Sequence, residues 1–233
     1  VKLVIFGANG PTGRLAAEQA LAEGHTVTAV TRRPDAYPLG GARLRVVGAD
    51  VHDAGAVDRA VAGQDAVLST LGLPYTKEPV TVYSDGVANM IKAMDVHGVR
   101  RLVCVSSMGV DPEHAPGESF TFRKLIAPML LKMGRTLYED MGRMEQLVRA
   151  SGLDWTIIRP AGLFDGAAPT DYVVGKPRTP GRFTSRNDLA DALVRSAVDS
   201  RNVDEVIEVV TTRGVPSYAG VFVKEALHIG NKR

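Results

Sequence analysis

The chain of 233 residues has one cysteine, Cys104. A lone thiol excludes an internal disulfide and suits a reducing compartment. It lies inside an apolar run, which predicts a core residue rather than a nucleophile. Long hydrophobic stretches are also missing. None is long enough to span a bilayer, and the sequence opens directly on a strand pattern rather than on a basic and apolar leader. The expectation is a cytoplasmic protein with no membrane partner. An excess of either charge is missing too, with 28 Lys and Arg against 26 Asp and Glu. The net charge of +2 comes from scattered basic residues, which argues against nucleic acid. The histidines at 25, 52, 97, 114 and 228 show no paired metal-ligand spacing, so no metal is expected. There is no internal repeat and no low-complexity linker. What remains is an ordinary apolar content of 45% and a length that fits one α/β domain.

The information is concentrated at the start. Leu3 to Phe6 is an apolar run that leads into Gly7-Ala-Asn9-Gly10-Pro11-Thr12-Gly13. A helical pattern follows through Leu15, Ala16, Gln19 and Ala20 and stops at Gly24. Thr26 to Val30 is a second apolar run, ending in Arg32 and Arg33. Strand, glycine turn, helix and strand close within about thirty residues, the size of a βαβ unit. Gly7 permits the tight turn, Gly10 lets a pyrophosphate approach the backbone, and Gly13 allows close helix packing. The helix start offers free N–H groups and partial positive charge to phosphates. Asn9, Pro11 and Thr12 complete this expected dinucleotide cradle.

The end of the second strand chooses between nucleotides. An NAD site carries an acid there for the ribose 2′-hydroxyl. This chain has Val30-Thr31-Arg32-Arg33-Pro34 instead. Arginine binds a 2′-phosphate bidentately, so the reading is NADP(H) in preference to NAD(H).

Alternation continues along the chain. Further strands are predicted at Arg43 to Val47, Asp65 to Thr70, Arg101 to Ser106, Trp155 to Ile158 and Val206 to Val210. Helices are predicted at Asp53 to Ala62, Ser84 to His97, Leu125 to Arg135, Tyr138 to Ala150 and Asn187 to Val198. This pattern gives a parallel, doubly wound α/β sheet covered on both faces. Residues 161–186 and 212–233 break the regularity and are expected to form a small cap over the cleft. The whole of 1–233 reads as a single domain.

The GxxGxxG spacing resembles the short-chain dehydrogenase/reductase superfamily, above all its extended and atypical branches, which implies the Rossmann fold. Other strand ends resemble the same superfamily. Asp50-Val51 resembles the pair that holds adenine, and Leu71-Gly72 the turn that passes the adenine ribose. Ser106-Ser107 falls at the nicotinamide end. Arg159-Pro160-Ala161-Gly162 resembles the strand end whose backbone groups meet the carboxamide. The superfamily's catalytic serine would be Ser107. Its YxxxK pair is absent, because Gly142 stands four residues after Tyr138 and Phe120 stands four before Lys124.

The segments YEDMGRMEQLVRASGLDWTIIRP and GVRRLVCVSSMGVD resemble the NmrA-like and biliverdin reductase B/flavin reductase-like group. That resemblance implies hydride transfer from NADPH to a flat conjugated acceptor: a flavin, a quinone or a linear tetrapyrrole. The reading for this chain is a flavin, quinone or aromatic polyketide-like acceptor, in support of an oxygenation step in one version. Such acceptors delocalise incoming charge and need less acid catalysis. Ser107 and Tyr138 are the candidate catalytic residues. Lys124 and Asp140 read as solvated charges, and Met108, Phe164 and Tyr172 as candidate walls of an apolar pocket. Two alternatives stand beside this reading: a non-catalytic NADP(H) sensor of NmrA type, and a sugar-nucleotide epimerase or dehydratase. A homodimer or a partner oxygenase is compatible with each pattern.

Overall fold

A computed structural model describes residues 1–111, 120 and 122–216. The chain alternates as expected: β1 (Lys2–Phe6), α1 (Pro11–Ala22), β2 (Thr26–Thr31), β3 (Leu44–Gly48), α2 (Ala54–Val61), β4 (Ala66–Ser69), α3 (Val82–His97) and β5 (Arg101–Val105). There follow α4 (Ala127–Met133), α5 (Arg135–Ala150), β6 (Asp154–Pro160), β7 (Gly162–Phe164), β8 (Tyr172–Gly175), β9 (Phe183–Ser185), α6 (Arg186–Val198) and β10 (Glu205–Thr211). Eight strands form one sheet in the order β3-β2-β1-β4-β5-β6-β10-β8. Every pairing in it is parallel except β10 with β8. This is the doubly wound Rossmann architecture.

Period-two alternation within β1 sets the two faces. Val4 and Phe6 join the core beneath α2, α3 and α5, which includes Val57, Met90 and Met144. Leu3 and Ile5 join the core beneath α1 and α6, which includes Ala16, Ala20 and Leu193. Helix α1 turns only small residues, Gly13, Ala16, Ala17 and Ala20, to the interior. That small face lets it lie close to the sheet and to α6, where Gln19 Nε2 donates to the Asn187 carbonyl at 3.2 Å. At the end of α3 the chain leaves through Gly98, whose φ of 67° is the left-handed conformation that glycine takes without strain.

The irregular segment 161–186 contains three short strands that periodicity did not reveal. β8 runs antiparallel along β10 as the sheet's edge, and β7 pairs with β9 in a separate two-stranded parallel sheet. The helix expected over Leu125 to Arg135 is divided: a π-helical turn, Phe122–Ile126, precedes α4, and the next helix already begins at Arg135. Of the expected cap, residues 217–233 lie outside the described residues.

Candidate functional site

In a parallel sheet all carboxyl ends point to one edge. Here β1 is flanked by β2 on one side and β4 on the other, so the winding reverses between β1 and β4, where a ligand crevice opens. The glycine segment lies at that point. Gly7 has a φ of 77°, and a Cβ on it would stand 2.6 Å from the Thr70 carbonyl oxygen at the end of β4. A Cβ on Gly13 would meet the Gly7 carbonyl oxygen at 2.4 Å and Thr70 Oγ1 at 2.7 Å. Gly10 meets only the Gly7 carbonyl oxygen, at 3.2 Å. So Gly7 and Gly13 are required by close packing, and Gly10 is tight against a single backbone atom. Thr70 locks the turn, donating from both its amide (2.9 Å) and its hydroxyl (2.8 Å) to the Phe6 carbonyl.

Helix α1 begins with Pro11 and has no side-chain cap and no acid in its first turn. Its first N–H groups therefore lack the partner a capping side chain supplies. An uncapped helix start behind a glycine turn fits a pyrophosphate. Asn9, expected in the cradle, is engaged by Arg14: Oδ1 accepts from Nε at 2.9 Å and from Nη2 at 2.6 Å. Arg14 was missed from the sequence. Its signal was position, as the only charge in the first turn of the helix after the glycine turn. Tyr37 lies within electrostatic reach of Arg14. Burial pushes that phenol up to about 12, against the opposing pull of the Arg14 guanidinium.

Arg32 and Arg33 are both exposed at the end of β2, and neither is ion-paired to a described residue. Arg32 lies close enough to Asp50 to help lower that carboxyl's pKa, behind the larger effects of the His52 backbone and side-chain hydrogen bonds. His52 Nδ1 stands 2.9 Å from Asp50 Oδ1. Val51 is buried, and its carbonyl accepts from Asn89 Nδ2 at 2.9 Å. A Cβ on Gly86 of α3 would touch both Val51 and Leu71 at 3.1 Å. That glycine brings the two expected adenosine-side segments, 50–51 and 71–72, against one helix.

At the other end of the crevice the expected residues divide. Ser106 is buried, with its hydroxyl donating to Glu145 Oε1 at 2.7 Å. Ser107 is half-buried and caps the short turn after β5, accepting from the Gly109 amide at 3.1 Å. The Tyr138 ring lies against both Gly109 and Gly134, where a Cβ would come within 2.6 and 2.5 Å of it. Its hydroxyl is 3.2 Å from that of Tyr75. Gly109 thus links Ser107 to Tyr138. Of Arg159 to Gly162, the Ala161 amide already donates to Thr184 Oγ1 at 2.9 Å and the Gly162 amide to the Arg182 carbonyl at 3.0 Å. Pro160 has no N–H, so this strand end offers carbonyl oxygens rather than donors.

Asp140 is a correction. It is fully buried, not solvated, and accepts from the Tyr83 amide at 2.9 Å, the Ser84 amide at 3.3 Å and the Ser84 hydroxyl. The other unforeseen group is Glu145 with Arg159, both buried and joined by two hydrogen bonds of 2.9 and 2.7 Å. Burial opposes the Arg159 charge, but the bond to Glu145 and its charge outweigh that and raise the guanidinium's pKa. Lys124 is exposed on the π turn. Phe164 packs edge-on against Phe183, whereas the Tyr172 hydroxyl donates to Asp191 Oδ2 at 2.5 Å. Tyr172 borders an open recess of about 800 Å³ with Asp171, Arg195 and Arg213. That recess includes none of the expected cofactor residues. Burial pushes the Cys104 thiol far up, which keeps it protonated. Among the described residues no cluster of His, Cys, Asp and Glu has metal-binding geometry, and no helix is long and apolar enough to cross a membrane.

A family model described as NAD(P)H-binding matches residues 7–200. The chain belongs to that NAD(P)H-binding family. The expected NAD(P)-binding kinship and Rossmann fold hold. Among curated relatives, an uncharacterised protein of Mycobacterium bovis is 28% identical over 211 residues, 86% of this chain. The chain spans only 20% of that relative's length. A Streptomyces griseus protein, (4-alkanoyl-5-oxo-2,5-dihydrofuran-3-yl)methyl phosphate reductase, is 32% identical over 158 residues, 68% of this chain and 46% of its own. Among solved structures, ChuY of Escherichia coli O157:H7, described as an anaerobillin reductase, superposes with a TM-score of 0.75 at 25% identity. That match covers 93% of this chain and all of ChuY.

Proposed function

We propose that the protein is an NADPH-dependent reductase that passes hydride to a flat conjugated acceptor, a flavin, quinone or aromatic polyketide-like compound. The observation that carries this reading is the glycine turn at the switch point, opening onto an uncapped helix start that holds no acid. Gly7, Gly10, Gly13, Asn9, Pro11 and Thr12 would hold the pyrophosphate. Arg32 and Arg33 would hold the 2′-phosphate, Asp50 and Val51 the adenine, and Leu71 and Gly72 the ribose. Ser106, Ser107, Pro160, Ala161 and Gly162 would border the nicotinamide. When bound, the reduced nicotinamide supplies the hydride. Ser107 keeps its hydroxyl proton available to a carboxamide or an acceptor oxygen, because its oxygen accepts from Gly109. Tyr138 presents a phenol beside that of Tyr75 and can donate to the acceptor. Since a conjugated ring spreads incoming charge, the enzyme's main task is orientation. The strands of residues 161–186 would close the acceptor side. The reductase names of the Streptomyces griseus relative and of ChuY support the class.

Gly142 in place of the usual lysine favours a second reading, an NADP(H) sensor without turnover. Anaerobic NADPH oxidation with FMN or menadione, followed at the NADPH absorbance band, separates the two. Acceptor-dependent loss of the band is expected. Tight NADPH binding by calorimetry with no loss at saturating acceptor overturns the reductase and leaves the sensor.

A further inference from the structure

We propose that the π turn and α4, residues 122–133, lay the protein onto an anionic lipid surface. Leu125, Met129 and Met133 recur every fourth residue, on one helical face, and that face is turned outward, with the three side chains 68, 44 and 47% exposed. Phe120, 76% exposed, and Tyr75, 45%, are exposed apolar side chains of the same region. Only Ala127 of α4 is buried. A folded chain ordinarily turns such a stripe to its core, and an outward one marks an interaction surface.

The charge around the stripe selects the occupant. Residues 120–138 carry Arg123, Lys124, Lys132 and Arg135 and no acid at all. Arg135 is paired with Glu139 at 2.7 Å. Arg123, Lys124 and Lys132 are exposed and have no ion pair with a described residue. Apolar side chains flanked by cations on long stems are the pattern of a helix lying in a bilayer interface. The apolar groups enter the acyl boundary while the stems carry their charges up to anionic headgroups. A second copy of the chain fits poorly, since a two-fold interface on this stripe brings the same unpaired cations together. The surface adjoins the candidate acceptor end, because Gly134, against which Tyr138 rests, closes α4. Docking itself does not depend on the reductase reading, and it departs from the expectation of no membrane partner, which rested on the lack of a spanning segment.

The test is co-sedimentation of the full chain with vesicles of equal parts phosphatidylglycerol and phosphatidylcholine, beside vesicles of phosphatidylcholine alone. Binding to the first is expected, weaker by about tenfold or more on the second and in high salt. The double variant Leu125→Ser, Met129→Ser should reduce binding about tenfold with an unchanged thermal midpoint, since both side chains are already solvent-exposed. Lys124→Glu with Lys132→Glu should do the same through charge. Absence of binding to the anionic vesicles, or binding that neither double variant alters, overturns the proposal. So does self-association in sedimentation equilibrium that the serine variant abolishes, which would give the face to a second copy.

Discussion

Gly13 has no room for a methyl group. Its Cβ would strike the Gly7 carbonyl and the Ala8 Cα, both backbone atoms held by the turn. Gly13→Ala is expected to cost about 1–3 kcal/mol of stability, read by urea unfolding, and to weaken NADPH binding by moving the turn from α1. Arg32 makes the opposite case, an exposed side chain with nothing structural to lose. A charge-assisted bond to a 2′-phosphate is worth about 1.5–3 kcal/mol. Arg32→Ala should therefore weaken NADPH roughly tenfold or more in calorimetric titration and leave NADH unchanged. Equal affinity of the unmodified protein for both nucleotides would end the NADP assignment. Gly7 and Gly13 were legible in the sequence because backbone geometry is a local demand. Asp140 was not, since a carboxylate on a helix reads the same whether solvent or another helix faces it.

At the scale of elements, Asp140 replaces a missing cap. Thr81 precedes α3 but makes no side-chain capping bond. The carboxylate of Asp140, on α5, instead accepts the α3 amides of Tyr83 and Ser84. Asp140→Ala leaves these buried donors unsatisfied and should destabilise the fold by about 3 kcal/mol, measured by urea unfolding. Asp140→Asn keeps an acceptor and should recover part of that loss. Element order and type followed from periodicity, with ends displaced by a residue or a few. β6 extends to Pro160 rather than Ile158, because pairing with β10 holds Arg159 and Pro160 in line. Arg159 at the end of an apolar strand needs a partner once it is buried. Which acid it was depended on α5 lying over β6. β7, β8 and β9 escaped notice because short strands among Gly, Pro and Thr carry too little alternation.

At the scale of the molecule, the buried polar groups make stability depend on pH. Glu208 of β10 accepts from the Thr179 amide at 2.7 Å, but burial outweighs that bond and raises its carboxyl pKa. The native state then keeps a proton that the unfolded chain releases above the ordinary Glu value. Stability accordingly falls as pH rises from that value through the native one. Glu208→Gln removes the proton exchange, so its stability relative to the parent should increase from acid toward neutral pH in paired urea titrations. An invariant difference across that range would refute the assignment. The sequence by itself determined the alternating α/β architecture, the glycine cradle and the arginines after β2. These depend on local backbone geometry, hydrophobic period and residue type. Only the tertiary structure decided that Glu145 meets Arg159, that Asp140 caps α3, that Ser106 turns inward, and that the apolar stripe of α4 faces out. Each of those depends on which distant element covers a side chain, and a polar or apolar residue carries no mark of its eventual neighbour.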